Sequence, residues 1–98
     1  MDLRFEWDEA KAAANLEKHG ISFDEAQTVF GDPHTMTIFD DLHSDSEDRF
    51  IDIGMAATGR ILVVVYTETA ERIRIISGRR ATSKERRHYE RQDAETAR

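Results

Sequence analysis

The chain has 98 residues, with 14 Lys and Arg against 20 Asp and Glu, which gives a formal net charge of −6. A chain of this length builds one domain around one core, so we expect a single domain over residues 1–98, and the absence of cysteine excludes disulfides and thiolate metal sites. The apolar run 61–66 is far shorter than the roughly 20 residues of a membrane-spanning helix, and the first residues lack the apolar block of a signal peptide. We therefore expect a cytoplasmic protein with no membrane partner.

The first predicted elements are a strand and a helix. Three apolar residues alternate with polar residues, as in a half-buried strand: Leu3, Phe5 and Trp7. Asp8 is a suitable N-cap for a helix over residues 9–19. Gly20 follows it and favours the left-handed conformation that ends many helices.

A second helix and four strands follow. Ser22 and Glu25 have the spacing of a capping box, which predicts a helix that the segment 31–33 (Gly-Asp-Pro) ends. Four segments rich in β-branched and aromatic residues predict strands: 34–40, 49–57, 60–67 and 72–77. The dipeptide Thr58-Gly59 predicts a tight hairpin turn between the second and third of these strands.

The last predicted element is a polar helix. Thr82 and Glu85 form a second capping box, and Tyr89 is the one large apolar residue that follows, so this helix has little to bury against its own core. We expect residues 91–98 to form a frayed tail. The order β-α-α-β-β-β-β-α predicts an α+β fold, a mainly antiparallel sheet with the two N-terminal helices on one face and a C-terminal helix.

Neither the acidic stretch nor the histidines predict a metal site. The spacing of the acids in residues 40–48 does not match a calcium loop, which favours a solvated connection between strands. No two histidines have the helical spacing of a zinc protease. His19 stands at a predicted helix end, where a favourable interaction with the helix dipole explains the presence of a histidine as well as a catalytic role does. We expect no metal and no cofactor.

The charge is distributed unevenly. Residues 1–71 carry 16 acids and 5 bases, a net −11, whereas residues 72–98 carry 9 bases and 4 acids, a net +5, and the two sum to −6. Four of the bases stand within nine residues: Arg72, Arg74, Arg79 and Arg80. A local basic surface of this kind can bind a polyanion, because charge fields are screened beyond about 8 Å at physiological salt.

Two explanations fit these arginines. Guanidinium groups bind phosphate bidentately, so the four could position an RNA backbone and stabilise the negative charge of the transition state. Alternatively, Arg72 and Arg74 pair with acids across the sheet, such as Glu68 or Asp52. The sequence favours neither explanation over the other.

RNA cleavage without a metal needs a base, an acid and cations. His19 and Glu68 are the candidate proton carriers, and Lys11 could add positive charge. Tyr66 or Tyr89 could donate a hydrogen bond or stack on a base. The sequence shows no serine–histidine–acid pattern and no glycine-rich phosphate motif that would indicate a different chemistry.

Read together, these segments resemble the BrnT family of toxins from about residue 3 to residue 90. The segments that carry the resemblance are, in chain order, 5–11 (FEWDEAK), 15–26 (NLEKHGISFDEA), 32–33 (DP), 49–50 (RF), 53–54 (IG), 59–67 (GRILVVVYT), 73–82 (IRIISGRRAT), 85–87 (ERR) and 89–90 (YE). The matched polar residues are Lys11, His19, Arg60, Arg74, Arg79, Arg80 and Tyr89. Family members often have a small residue such as alanine at the position where this chain has Gly78, which is a mild departure from the family pattern.

The resemblance implies a RelE-like ribonuclease fold and RNA cleavage that halts translation. It also implies a homodimeric partner, the antitoxin BrnA, in a toxin–antitoxin hetero-oligomer that contacts operator DNA only through the antitoxin. We expect the antitoxin to cover the sheet and the last helix, because it would then neutralise the arginines and block access to them.

We hypothesise a metal-independent endoribonuclease that cleaves by attack of the 2′-hydroxyl. The predicted catalytic residues are His19, Glu68, Arg74, Arg79 and Arg80. The predicted RNA-binding residues are Lys11, Arg60, Arg72, Arg86 and Tyr89. Two alternatives stay open: a catalytically silent homologue that binds the antitoxin and regulates transcription, and direct DNA binding through the basic C-terminal helix.

Overall fold

The computed structural model describes residues 4–43 and 47–96 and confirms the predicted α+β order. The elements are β1 (Arg4–Glu6), α1 (Glu9–His19), α2 (Phe23–Gln27), a 3₁₀ turn (Thr28–Gly31), β2 (Met36–Phe39), a 3₁₀ turn (Asp41–His43), β3 (Asp48–Met55), β4 (Ile61–Glu68), β5 (Arg72–Arg80) and α3 (Ser83–Thr96). Leu3 and part of the acidic stretch 40–48 lie outside the described residues. None of the described helices has the length and apolar character needed to span a bilayer.

The helix ends follow the predicted signals. The Asp8 side chain accepts hydrogen bonds from the backbone N–H groups of Ala10 at 2.8 Å and Lys11 at 3.2 Å, which caps α1. Gly20 ends α1 with φ 70°, a left-handed conformation that glycine adopts without steric cost. Ser22 Oγ caps α2 by accepting from the N–H of Glu25 at 3.0 Å.

The five strands form one sheet in the order β1-β5-β4-β3-β2. All neighbouring pairs are antiparallel except β1 and β5, which run parallel, so the sheet is mainly antiparallel as predicted. The hairpin between β3 and β4 is wider than the tight turn we expected. The N–H of Ala56 bonds to the carbonyl of Arg60 at 2.8 Å, and Gly59 closes the loop with φ 90°.

The two faces of the sheet are covered to different extents. We call the side of β4 that carries Leu62, Val64 and Tyr66 the covered face, because these residues pack under α1 and α2 in the main core. The residues of that core are Ile21, Phe23, Ala26, Val29, Ala56, Leu62, Val64, Tyr66, Ile73 and Ile75. We call the opposite side, which carries Val63 and Val65, the open face.

Close packing of the helices on the covered face depends on Gly78 in β5. A Cβ atom added at this position would lie 3.2 Å from the Cβ of Ala26 and 3.4 Å from Cγ2 of Ile21. Asn15 of α1 lies on the same spot, because its amide donates to the carbonyls of Gly78 and Ile21 at 2.8 Å each and accepts from the N–H of Gly78 at 3.2 Å. These contacts hold α1 and α2 against β5.

Helix α3 covers only part of the open face. Its Tyr89 is 3% exposed, packs with Ile53 and Val63, and donates from its hydroxyl to Asp32 Oδ2 at 2.5 Å. The predicted capping box is present, since Glu85 and Thr82 exchange backbone-to-side-chain hydrogen bonds. Tyr89 therefore provides the apolar anchor of a largely polar helix. The helix continues to Thr96, through the segment for which we expected a frayed tail, and residues 97–98 lie outside the described part.

A β-bulge in β5 decides which arginines share a face. Val65 pairs with Ser77 whereas Tyr66 pairs with Ile75, so Ile76 is an extra residue in β5. Side chains alternate along a strand, and one inserted residue reverses the alternation beyond it. Arg74 and Arg79 consequently both lie on the open face, and Arg80 lies on the side of Leu62.

Candidate functional site: an arginine groove beside the C-terminal helix

Arg72 and Arg74 are ion-paired at the edge of the sheet. Arg72 Nη1 lies 3.1 Å from Glu6 Oε1, and Arg74 Nε lies 3.0 Å from Glu6 Oε2. The hydrogen bond from Arg74 is the main cause that lowers the pKa of Glu6. The second explanation, pairing with an acid across the sheet, is therefore present, although the acid is Glu6 and not one of the suggested examples, Glu68 or Asp52. Strand β1 lies parallel beside β5, and Glu6 is in register with Arg74.

Arg79 ties β5 to the first turn of α3. Its two terminal nitrogens donate to the two carboxylate oxygens of Glu85 at 2.8 and 2.9 Å. This bidentate contact is the largest of the effects that lower the pKa of Glu85 to about 2. Arg79 therefore fixes the start of α3 on the open face.

A buried polar pair lies on the covered face. Asp52 is 3% exposed and accepts a hydrogen bond from the Tyr66 hydroxyl at 2.9 Å. Burial is the main cause that raises the pKa of Asp52. The Tyr66 ring is 4% exposed, so it lies inside the core and not at an RNA-binding surface.

Three predicted residues come together at the end of β4 that begins with Ile61, around a groove of about 470 Å³. Arg60 contributes from the β3–β4 loop, Arg80 from the end of β5 and Arg86 from α3. The N–H of Ala81 donates to the carbonyl of Ile61 at 2.9 Å, which brings the start of α3 close to that loop. We call this feature the arginine groove. Its lining residues are Met55, Gly59, Arg60, Ile61, Arg80, Ala81, Ser83, Arg86 and Glu90.

The three arginines of the groove differ in their partners. Arg60 Nε donates to Glu25 Oε2 at 2.8 Å, and its Nη2 donates to Glu25 Oε1. The hydrogen bond from Arg60 is the main cause that lowers the pKa of Glu25. Within residues 4–43 and 47–96, Arg80 and Arg86 form no ion pair. The groove thus offers two guanidinium groups to an anion.

Glu90, which also lines the groove, was not predicted from the sequence. It follows Arg86 by four residues, a spacing that places two side chains on one side of a helix. The helical periodicity could have identified it once Arg86 was chosen. Glu90 adds a carboxylate to the lining of the groove.

The remaining predicted residues are not part of the groove. Glu68 pairs with Ile73, whereas Arg80 pairs with Leu62, six positions away along β4, which corresponds to about 20 Å. His19 ends α1, and Lys11 is exposed near its start. Neither lines the groove.

The ring of Tyr89 is buried, which places it out of reach of a base.

Of the five predicted catalytic residues, Arg80 lines the groove and the other four do not, so the five do not form one constellation. Among the residues that the structure describes, no group of three or more His, Cys, Asp or Glu side chains is arranged to hold a metal ion.

Comparisons with known proteins identify the family. A family model described as "Ribonuclease toxin, BrnT, of type II toxin-antitoxin system" matches residues 7–85. The crystal structure of the Brucella abortus ribonuclease toxin BrnT is similar in fold, with a TM-score of 0.64 and 21% sequence identity over 84% of this chain and 100% of that chain. No curated protein matches the sequence. The family match covers most of the chain, and we conclude that it belongs to the BrnT family of ribonuclease toxins of type II toxin–antitoxin systems.

Proposed function

We propose that this chain is an endoribonuclease that cleaves RNA by attack of the 2′-hydroxyl, needs no metal ion, and arrests translation and growth in the cytoplasm. A BrnA-like antitoxin holds it inactive in a hetero-oligomer and makes the contacts with DNA. The observation that carries the proposal is the arginine groove, which Arg80, Arg86 and Glu90 line and in which, among the described residues, neither Arg80 nor Arg86 forms an ion pair. Family membership supports the choice of RNA as substrate.

The groove contains the charges that phosphodiester cleavage needs. Arg80 and Arg86 bind the scissile phosphate and stabilise the additional negative charge of its transition state. Arg60 is paired with Glu25, and this contact fixes the β3–β4 loop at the groove. Glu90 accepts the proton of the attacking 2′-hydroxyl, the bond between phosphorus and the 5′-oxygen breaks as the 2′,3′-cyclic phosphate forms, and the departing 5′-oxygen takes a proton from solvent water.

The other predicted residues have supporting roles in this proposal. Arg79 is a positioning residue, because its contact with Glu85 fixes the helix that carries Arg86. Arg72 and Arg74 contact the RNA backbone away from the cleavage site. If replacing Glu90 leaves cleavage intact, the proton carriers are His19 and Glu68. The variants His19→Gln and Glu68→Gln test that role by the loss of cleavage.

The experiment is cleavage of total RNA by the purified, antitoxin-free chain in excess EDTA. We expect the wild type to cut and the Arg80→Ala/Arg86→Ala variant to be slower by about 10²–10³-fold or more, since such stabilising groups contribute on that scale. Arg87→Ala is the matched control, because Arg87 is the next exposed arginine of α3 and does not line the groove. Circular dichroism establishes that each variant is folded.

Three results would count against the proposal. Full activity of the double variant would remove the groove from the chemistry, and a loss of activity in EDTA that a divalent cation restores would contradict metal independence. No cleavage by a folded wild type would favour a ribosome-dependent enzyme or a silent homologue.

One observation favours the silent homologue as a second candidate. Three arginines of β5 are ion-paired within the chain, since Arg72 and Arg74 share Glu6 and Arg79 pairs with Glu85. Such a protein would bind its antitoxin stably and be harmless when overproduced. Growth after induction of the toxin alone separates the two functions.

A further inference from the structure

Met55 is a large apolar side chain that stays exposed beside the arginines of the groove. Its exposed fraction is 43%, and it lines the arginine groove together with Arg80 and Arg86. Of the large hydrophobic side chains that are exposed in the described part of the chain, only Met55 lines this groove. Single exposed hydrophobic residues are common on protein surfaces, so the role of Met55 depends on what it borders.

Met55 also lines a second cavity, which we call the methionine pocket. This cavity has a volume of about 330 Å³ and lies where β3 extends beyond the start of β2, since Met36 at the start of β2 is in register with Ile53. Its other lining residues are Thr28, Gly31, Asp32, Ala56 and Ala57. Met55 is therefore the boundary that the methionine pocket shares with the arginine groove.

Hydrogen bonds fix the methionine pocket relative to the arginine groove. The backbone N–H of Met55 donates to Asp32 Oδ2 at 2.8 Å. The N–H of Ala57 donates to Thr28 Oγ1, also at 2.8 Å. Arg60, at the far end of the same loop, forms an ion pair with α2. Because these positions are fixed before binding, the pocket and the groove can receive two adjoining groups of one ligand with little loss of conformational entropy.

The polar groups of the methionine pocket already take part in the fold. Thr28 Oγ1 accepts a hydrogen bond from the β3–β4 loop and donates one to the backbone of α2, at 2.8 and 2.6 Å. The carboxylate of Asp32 accepts three hydrogen bonds from within the chain. Met55 and Ala57 are both exposed and offer apolar surface to a ligand. The pocket is therefore suited to a flat apolar group rather than to a charged one.

We propose that the methionine pocket binds the nucleobase next to the phosphate that Arg80 and Arg86 hold, and that Met55 determines which bases are preferred there. The inference rests on the proposed function for the identity of the ligand as RNA. In a single strand, the ribose joins each base to the phosphate beside it, so a phosphate in the groove brings a base to the adjoining pocket. Sequence recognition of RNA uses unstacked bases of this kind, and a thioether makes favourable contacts with aromatic rings.

The chemistry of the pocket predicts a preference for purines. Where a base is recognised through contact with its flat face, the preference follows the strength of stacking, which is greater for two fused rings than for one. Discrimination between adenine and guanine requires hydrogen bonds to the edge of the base. Since Thr28 and Asp32 are engaged within the chain, we expect the pocket to accept both purines alike.

The test measures the affinity of the full-length, antitoxin-free chain for short 2′-O-methyl oligonucleotides, which lack the attacking hydroxyl and cannot be cut. Fluorescence anisotropy gives the Kd of oligo(A) and of oligo(C). We expect the wild type to bind oligo(A) about five- to tenfold more tightly, and Met55→Thr to lose that preference, because loss of one stacking contact changes affinity on this scale. Threonine retains the β-propensity of the position.

Two further variants serve as controls. Met55→Leu keeps an apolar side chain in the pocket and should retain most of the preference for oligo(A). Ile38→Thr is the matched control, since Ile38 is 47% exposed on β2 and lines neither the methionine pocket nor the arginine groove. Both of its Kd values should equal those of the wild type.

The outcomes separate this proposal from the proposed function. Binding does not require cleavage, so the affinities decide the role of the pocket even if the wild type cuts no RNA. A general disturbance of the fold would weaken both oligonucleotides equally, whereas loss of the pocket changes the ratio of their Kd values. An unchanged ratio in Met55→Thr, equal affinities in the wild type, binding of neither oligonucleotide, or loss of the preference in Ile38→Thr would each overturn the proposal.

Discussion

The covered face and the open face use the same strands but bury very different numbers of side chains. Among the described residues, the core of the covered face contains ten buried hydrophobic residues, and the cluster on the open face contains Ile53, Val63 and Tyr89. Burial of apolar surface is the dominant favourable term in folding. The covered face therefore stabilises the domain, whereas the open face leaves an apolar side chain such as Ile38 exposed.

The largest effect should come from Asn15 on the covered face. Asn15→Ala leaves the carbonyls of Ile21 and Gly78 and the N–H of Gly78 buried without partners, so we expect a loss of about 3 kcal/mol or more in the free energy of unfolding. Leu16→Ala, at a half-exposed position of the same helix, should cost less than about 1 kcal/mol. Urea denaturation measures both. Similar losses for the two variants would mean that α1 is held by general packing and not by this amide.

A matched pair on β4 compares the two faces directly. Val64 is fully buried on the covered face, whereas Val65 is half-buried on the open face. Both substitutions to alanine remove the same atoms and the same β-propensity. We expect Val64→Ala to lower the free energy of unfolding by about 2–3 kcal/mol and Val65→Ala by less than about 1 kcal/mol. Equal losses would show that the open face is as important for stability as the covered face.

The smallest effect concerns the ion pair that fixes α3 on the open face. The pKa of Glu85 is lowered from 4.5 to about 2 in the folded protein, so the folded state binds fewer protons than the unfolded state between these values. Its stabilisation is complete above pH 4.5 and is lost as the pH falls toward 2. Glu85→Gln keeps the cap on Thr82 but removes the charge, and should cost about 1 kcal/mol at pH 7 after solvent screening.

Thermal unfolding over a pH series measures this difference. The gap in stability between the wild type and Glu85→Gln should close as the pH falls from 4.5 to 2. Arg79→Gln should show the same gap, and the double variant should add little, because both changes remove one interaction. A gap that does not depend on pH would mean that the contact is not electrostatic in origin.

Local signals in the sequence were sufficient for most of the elements. Asp8 and Gly20 bound α1, and the capping boxes at Ser22 and Thr82 are both present. The hairpin at Gly59 was also predicted, although its loop is wider than expected. These signals succeed because capping and left-handed turns depend on residues within a few positions of each other.

The arrangement of the site was much less predictable. Arg74 pairs with Glu6, which lies on a parallel strand more than sixty residues away in sequence. The sheet faces on which Arg74 and Arg80 lie depend on one bulge residue, Ile76. Neither leaves a local pattern. Glu90 is the exception, because its spacing from Arg86 already indicates a shared side of α3.

By itself, the sequence determined the element order, the helix caps, the α+β class and, through the ordered set of short segments, the resemblance to the BrnT family. Only the tertiary structure decided that Arg60, Arg80 and Arg86 share one groove, that Tyr89 belongs to the core, and that Ile38 on the open face is exposed. The physical reason is distance along the chain. Caps and turns are formed between neighbours, whereas strand register and helix docking depend on which distant side chains pack best together.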